Sequence, residues 1–254
     1  MTGKGKSGMP KSTPLKKYNK KSEYSYTLGA FPTIELLKNK PEHVLRVMFH
    51  SDMNSDRQAE IIHELCKKNR IQCEVQDRLV EKLRDKENCY VIGVFEKYTG
   101  ILQADQNHLV LVNPSDMGNI GTIIRTSIGF SVHNLAIIEP AVDIFNPKVV
   151  RASMGALFRI RFQHFDSFEA YRKQYGREHA LYPFMLTGAV PLQTYVPDPA
   201  KHFSLIFGNE ATGLPEEFAE VGQSILIENS DEVDSLNLSI AVGCGLYEFT
   251  KKRR

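Results

Sequence analysis

The chain has 254 residues, 42% hydrophobic and 24% charged, with a formal net charge of +2. That length allows one large domain or two ordinary ones, each with its own core. No run approaches the roughly 18 to 20 apolar residues that cross a bilayer, and the lysine-rich start lacks a signal peptide's apolar stretch, so the expectation is a soluble cytoplasmic protein with no membrane partner.

Charge is unevenly spread. Residues 1–22 hold seven lysines and no acid, and Lys251, Lys252, Arg253 and Arg254 close the chain, so the ends carry +11 and the body between them about −9. This suits local basic patches and a tethering tail that meet phosphate by salt-sensitive attraction, rather than a surface basic all over. Residues 1–22 read either as such a tether or as solvated disorder. Gly3, Gly5 and Gly8 fit GxGxxG, but neither a strand before them nor an apolar helix after them supports a dinucleotide turn. Cys66, Cys73, Cys89 and Cys244 form no CxxC pair and have no matching histidine cluster, which predicts isolated buried thiols and no metal.

Alternating apolar runs begin near Phe31. Residues 44–50, 71–75 and 90–95 read as strands, 55–69 as a helix with Ile61, Ile62 and Leu65 on one face, and about 77–86 as a second helix. This makes a small α/β domain over 23–97, after a basic tail at 1–22. A polar linker follows at 98–107. The segment 108–254 reads as a second α/β unit with strands at 109–113, 135–138, 159–164, 181–187, 204–207 and 224–228, and hence a mostly parallel sheet with helices on both faces. Ligands in such sheets sit beyond the carboxyl ends of the strands.

Three loops at such ends are chemically unusual. In "NPSDMGNIGTIIRT" (113–126), Ile120, Ile123, Ile124 and Ile128 form a packing stripe, while Arg125 leans over Gly121 toward Asn119 and the helix start, a place suited to phosphate. In "FGNEATGLPEE" (207–217), Gly208 and Gly213 frame a loop that holds Asn209 and Glu210 after a buried strand, which points to a small-ligand pocket. In 225–249, Ser235, Leu236 and Asn237 stand before a helix apolar on nearly every face, buried either in its own domain or in a subunit interface.

"NIGTIIRT", "FGNEATGLPEE" and "SLNLSIAVGCGLYEF", in this order and at these separations, closely resemble the three motifs of the SpoU, or TrmH, family of RNA ribose methyltransferases in the SPOUT class, and "NPKVVRASMGALF" (146–158) is similar to a further family segment. The resemblance covers roughly residues 105 to 249. Residues 23–97 resemble, more loosely, the ribosomal-protein-like RNA-binding domain that often precedes such a domain. The resemblance implies a deep trefoil knot in the C-terminal domain, a homodimer across knot helices, and S-adenosylmethionine as cofactor, held by Thr187, Gly208, Glu210, Gly213, Ile227, Leu236 and Asn237. It implies methylation of a ribose 2′-hydroxyl in RNA, ribosomal first and transfer RNA second, with Arg125 at the hydroxyl and Asn119, Glu210, Ser235 and Asn237 around it.

A guanidinium titrates above about 12 and is a poor proton acceptor. Arg125 therefore either acts as base in a desolvating pocket or orients the hydroxyl while a phosphate or water takes the proton. Two rival readings are a non-catalytic RNA-binding or ribosome-assembly protein, which has no need of the three loops together, and a nucleotide-dependent oxidoreductase, which needs more than the single Gly118 after its first strand.

Overall fold

The computed structural model describes residues 15–53, 57–198, 200–230, 232–233 and 235–251. The glycine triplet at 3–8, the first two residues of the helix expected at 55–69, and residues 252–254 of the basic C-terminus lie outside the described residues. Two compact units emerge: one of residues up to Tyr98 with Phe145–Phe158, the other of Thr99–Ile144 and Arg159 onward.

The first unit runs β1 (Tyr24–Leu28), α1 (Ala30–Asn39), β2 (Val44–Phe49), α2 (Arg57–Asn69), β3 (Cys73–Val75), α3 (Asp77–Leu83) and β4 (Val91–Glu96). Its sheet has the order β1-β4-β2-β3, with β4 antiparallel to both neighbours and β2 parallel to β3. The sequence reading included neither β1 nor α1; β1 was hidden because "YSYTL" is hydroxyl-rich. Ser25 and Thr27 are nevertheless fully buried: the Ser25 hydroxyl donates to the Phe145 carbonyl at 2.5 Å, and Thr27 Oγ1 lies 2.7 Å from Thr33 Oγ1 and accepts from the Gly93 N–H at 2.9 Å. Satisfied in this way, a hydroxyl is tolerated in a core.

The boundaries differ from those read in the sequence. From Leu15 onward the expected tail is packed: Leu15 is buried, and Tyr26 donates its hydroxyl to the Lys16 carbonyl at 2.5 Å. The expected linker packs in the second unit, where Leu102 is buried and its N–H donates to Gln163 Oε1 at 3.2 Å. The segment Phe145–Phe158, expected in the second unit, belongs to the first; there Phe158 meets Phe95 edge-on at 5.2 Å.

The second unit runs β5 (His108–Val112), α4 (Met117–Gly129) and β6 (Asn134–Ile138). The chain then contributes α5 (Pro147–Ala152) to the first unit and returns as β7 (Arg161–Phe165), α6 (Phe168–Tyr175), β8 (His179–Pro183), β9 (Val190–Pro191), β10 (His202–Phe207), β11 (Ile225–Leu226) and α7 (Leu238–Thr250). The main sheet has the order β7-β6-β5-β10-β8, and every pairing is parallel. The strands expected at 181–187 and 224–228 are shorter: β8 ends at Pro183, and β11 is two residues paired with β9 outside the main sheet.

Alternation along the strands divides the core. Val110, Val112, Ala136, Ile138 and Ile206 pack with Tyr171 and Tyr175 of α6 on one face. Phe207 points to the other face, where α7 crosses: a Cβ on Gly245 would stand 3.1 Å from the Phe207 ring. Helix α7 also packs on α4, so helices cover both faces. Strand order reverses at β5 and β10, which places the crevice that parallel sheets offer to ligands at the carboxyl ends of these two strands.

Candidate active site

Because β5 and β10 are parallel neighbours, with Phe207 paired to Leu111, the loops after them leave the sheet side by side. After β5, Asn113 turns the chain with φ of 51° and Asp116 caps α4, its carboxylate accepting from the Asn119 N–H at 2.7 Å. After β10, the loop closes on itself. Gly213 donates to the Asn209 carbonyl at 2.9 Å, and Asn209 Oδ1 accepts from Ala211 N–H at 2.9 Å. A Cβ at Gly208 would stand 2.2 Å from the Gly213 carbonyl carbon and 2.4 Å from Leu214 N, so this glycine is demanded by the loop's own backbone. Gly213 has φ of +68° and nothing within 4 Å of its Cβ direction.

Glu210 locks the two loops together. One carboxylate oxygen accepts from the Ser115 N–H at 3.1 Å and the Ser115 hydroxyl at 2.8 Å; the other accepts from the Asp116 N–H at 3.1 Å and Asn119 Nδ2 at 3.4 Å. Burial alone would raise its pKa, but the hydrogen bonds from its own backbone, from Ser115 and from Asp116 outweigh this and hold the carboxyl below the usual range. Asn209 adds a second tie, its Nδ2 donating to the Asn113 carbonyl at 2.7 Å and to Ser115 Oγ at 3.3 Å. The third segment joins through Asn237, whose Nδ2 donates to Asn119 Oδ1 at 3.1 Å. A continuous chain Glu210–Asn119–Asn237 therefore links segments 91 and 118 residues apart.

This corrects the expected phosphate site at the start of α4. The Ser115, Asp116 and Asn119 N–H groups are already taken by the carboxylates of Glu210 and Asp116, so the protein supplies its own anions there. Gly121 is buried with the isoleucine stripe rather than lying bare beneath the arginine, and Arg125 is exposed on the next turn.

Beside this lock lies a cavity of about 460 Å³, lined by Thr187, Gly208, Glu210, Gly213, Ile227, Ser235 and Leu236 among others. Asn119 and Asn237 stand behind Glu210 and Arg125 further along α4; none of the three lines the cavity. Sequence reasoning missed Ser115 as a partner of Glu210, and the cavity wall at Phe184, Met185 and Asn229. Ser115 carried no local signal, since its partner is 95 residues away.

The SpoU rRNA Methylase family matches residues 106–247, more than half of the chain. The chain belongs to this family. Among its relatives, the Synechocystis sp. protein named "uncharacterized tRNA/rRNA methyltransferase slr1673" is 31% identical over 57% of this chain, which spans about half (53%) of that protein. An AdoMet-bound rRNA methyltransferase from Sinorhizobium meliloti is similar in structure, 25% identical with a TM-score of 0.74, covering 89% of this chain and 86% of that one. A structure concerned with 2-OH methylation of C/U34 on tRNA is 30% identical, with a TM-score of 0.51, over 57% of this chain and 95% of that one. As SpoU family members differ in target, the site must be read from its own residues. No helix among the described residues is long and apolar enough to cross a membrane, and no metal-binding cluster of His, Cys, Asp and Glu occurs among them.

Proposed function

We propose that this SpoU family chain transfers a methyl group from S-adenosylmethionine to a ribose 2′-hydroxyl of RNA in the cytoplasm. The observation that carries this is the Glu210–Asn119–Asn237 chain beside the cavity at the β5/β10 crevice. The residues fit the cofactor. The cavity has the size of a small-molecule site, and its wall combines apolar Ile227 and Leu236 with polar Thr187 and Ser235. Gly213 leaves its Cβ space open for a ligand, and Glu210 has no cationic partner among the described residues, which suits a positively charged one. S-adenosylmethionine supplies an activated sulfonium methyl when bound.

The protein's part is alignment. Glu210 fixes the two loops, Asn119 and Asn237 fix the start of α7, and Ser235 and Leu236 close the cavity. We assign Arg125 to hold the ribose hydroxyl and its neighbouring phosphate. An exposed guanidinium is solvated as a cation and acts as donor, so the proton leaves to water or to a substrate phosphate.

Ribosomal RNA is the first substrate. The Sinorhizobium rRNA enzyme matches 89% of this chain, beyond the family segment, whereas the tRNA-directed structure matches 57%. On this reading the first unit is the RNA-reading module and the described part of the N-terminal lysines adds phosphate attraction. The family's trefoil knot is supported by the return of the chain after β11 into α7, packed on α4 and β10. A homodimer is supported by Ile240 and Tyr247, seven residues apart on α7 and 56% and 57% exposed. Calorimetric titration with S-adenosylmethionine tests the cavity; no binding overturns the reading.

A further inference from the structure

A second group of reactive side chains lies in the first unit, apart from the site above. Helix α2 ends at Asn69, Arg70 reverses the chain with φ of 56°, and the Ile71 N–H donates to the Cys66 carbonyl at 2.9 Å. This fold-back brings Cys73, the first residue of β3, against Cys66 in one apolar cluster with Val47, Phe49 and Ile62. Cys66 is buried in this cluster and the half-buried Cys73 packs against it. Cys73 Sγ is also 3.3 Å from Nδ1 of His63, whose ring is held flat on Phe49 at 4.6 Å and 9°. A cavity of about 270 Å³, bounded by His50, Ser51, Met53, His63 and Glu74, opens on Cys73, while Cys66 behind it is 2% exposed.

The two thiols differ in the direction their chemistry requires. The hydrogen bond from Cys66 favours the Cys73 thiolate against its partial burial, and the same thiolate with burial pushes Cys66 up, so Cys66 keeps its proton. No metal-binding cluster occurs among the described residues, so the pair does not read as part of a metal site.

We propose that Cys73 is an oxidation site for hydroperoxides and that Cys66 is its resolving thiol. The Cys73 thiolate attacks one peroxide oxygen, the O–O bond breaks, and hydroxide or alkoxide leaves with the electron pair; Cys73 becomes a sulfenic acid. The Cys66 sulfur then displaces the sulfenic hydroxyl, which departs as water with the Cys66 proton, and a Cys66–Cys73 disulfide forms. The peroxide is reduced by two electrons and the thiol pair oxidised by two.

The experiment treats the full chain with stoichiometric hydrogen peroxide under native conditions, then caps free thiols and maps peptides by mass. The expected product lacks two hydrogens per chain and links Cys66 to Cys73, leaving Cys89 untouched because burial pushes that thiol up to about 11. Cys66→Ser, with the fold checked by circular dichroism, should leave a sulfenic acid at Cys73 that dimedone traps. His63→Phe keeps a ring on Phe49 but removes the nitrogen 3.3 Å from Cys73 Sγ, and should slow oxidation on the order of tenfold, the effect of one hydrogen bond to a charged group. Oxidation of Cys89 as fast as Cys73, absence of the disulfide with intact wild-type chain, or an unchanged rate in His63→Phe overturns the proposal.

Discussion

Asn237 uses both ends of one amide: Nδ2 donates to Asn119 Oδ1 at 3.1 Å, while Oδ1 accepts from the N–H and hydroxyl of Ser239 at 2.9 and 2.6 Å. It caps α7 and ties that helix to α4. Asn237→Asp separates the two tasks. Aspartate caps about as well as asparagine, so the stability cost should be limited to the lost bridge, about 1 kcal/mol. The lost donor turns a carboxylate oxygen toward Asn119 Oδ1, and methyl transfer should fall on the order of tenfold, the effect of one hydrogen bond. Thermal unfolding and single-turnover transfer measure the two effects; unchanged transfer contradicts the bridge.

Arg125 is exposed and outside the cavity, so its removal should spare cofactor binding. Arg125→Ala is expected to keep the calorimetric affinity for S-adenosylmethionine and to lower transfer by about 10² or more, the scale of losing one charge-stabilising donor. Arg125→Lys should recover part of this, since lysine keeps the charge but not the planar fork. Retained turnover in Arg125→Ala removes it from the mechanism.

Gly208 and Gly213 should fail differently. At Gly208 an added methyl meets backbone at 2.2 to 2.4 Å, which no side-chain motion relieves. Gly208→Ala is expected to cost about 2 kcal/mol or more and to open the loop. At Gly213 the space is empty and the cost is the φ of +68°, about 1 kcal/mol. Gly213→Ala should therefore fold nearly normally and lose cofactor affinity. Comparing melting temperature with calorimetric binding for both variants checks this; equal destabilisation contradicts it.

These residues also mark what a sequence reader can see. The parallel strands of the second unit and the stripe Ile120, Ile123 and Ile124 were legible, because continuous apolar runs and helical spacing both report burial locally. Glu210, Ser235 and Leu236 stood out as polar or exposed groups on constrained loops at strand ends. What bonds to Glu210 was not legible, since Ser115 meets it across 95 residues. Gly208 reads in the sequence as one of two glycines framing the loop, but nothing local tells that the loop's own backbone fills the space its Cβ would take. Likewise β1 was missed because its buried hydroxyls look polar until Phe145 and Thr33 supply their partners.

At the amino ends of β5, β8 and β10 a buried chain runs His108–Tyr171–Ser204–His179, with steps of 2.9, 2.6 and 2.9 Å. The outer ring nitrogens of His108 and His179 donate to the carbonyls of Gln103 and Ala104 at 2.9 and 2.8 Å. With both rings neutral the chain has one proton fewer than its contacts, which favours taking one up; burial opposes it and wins, then repulsion from His179 adds, lowering His108 to about 4. The unfolded chain binds this proton near pH 6.5, so stability is full above about 6.5 and falls by roughly 3 kcal/mol as pH drops to about 4. Imidazole resonances should show His108 neutral at pH 6 in the folded protein; an imidazolium there contradicts the balance.

The central claim is tested most directly by transfer of labelled methyl from S-adenosylmethionine into separate unmodified ribosomal and transfer RNA pools, followed by nucleoside mass spectrometry. A 2′-O-methylated nucleoside in the ribosomal pool is the expected result, and in the transfer pool alone it keeps the chemistry but overturns the substrate. Methyl found on a base, or no incorporation into either pool with cofactor bound, contradicts the account and leaves a binding protein.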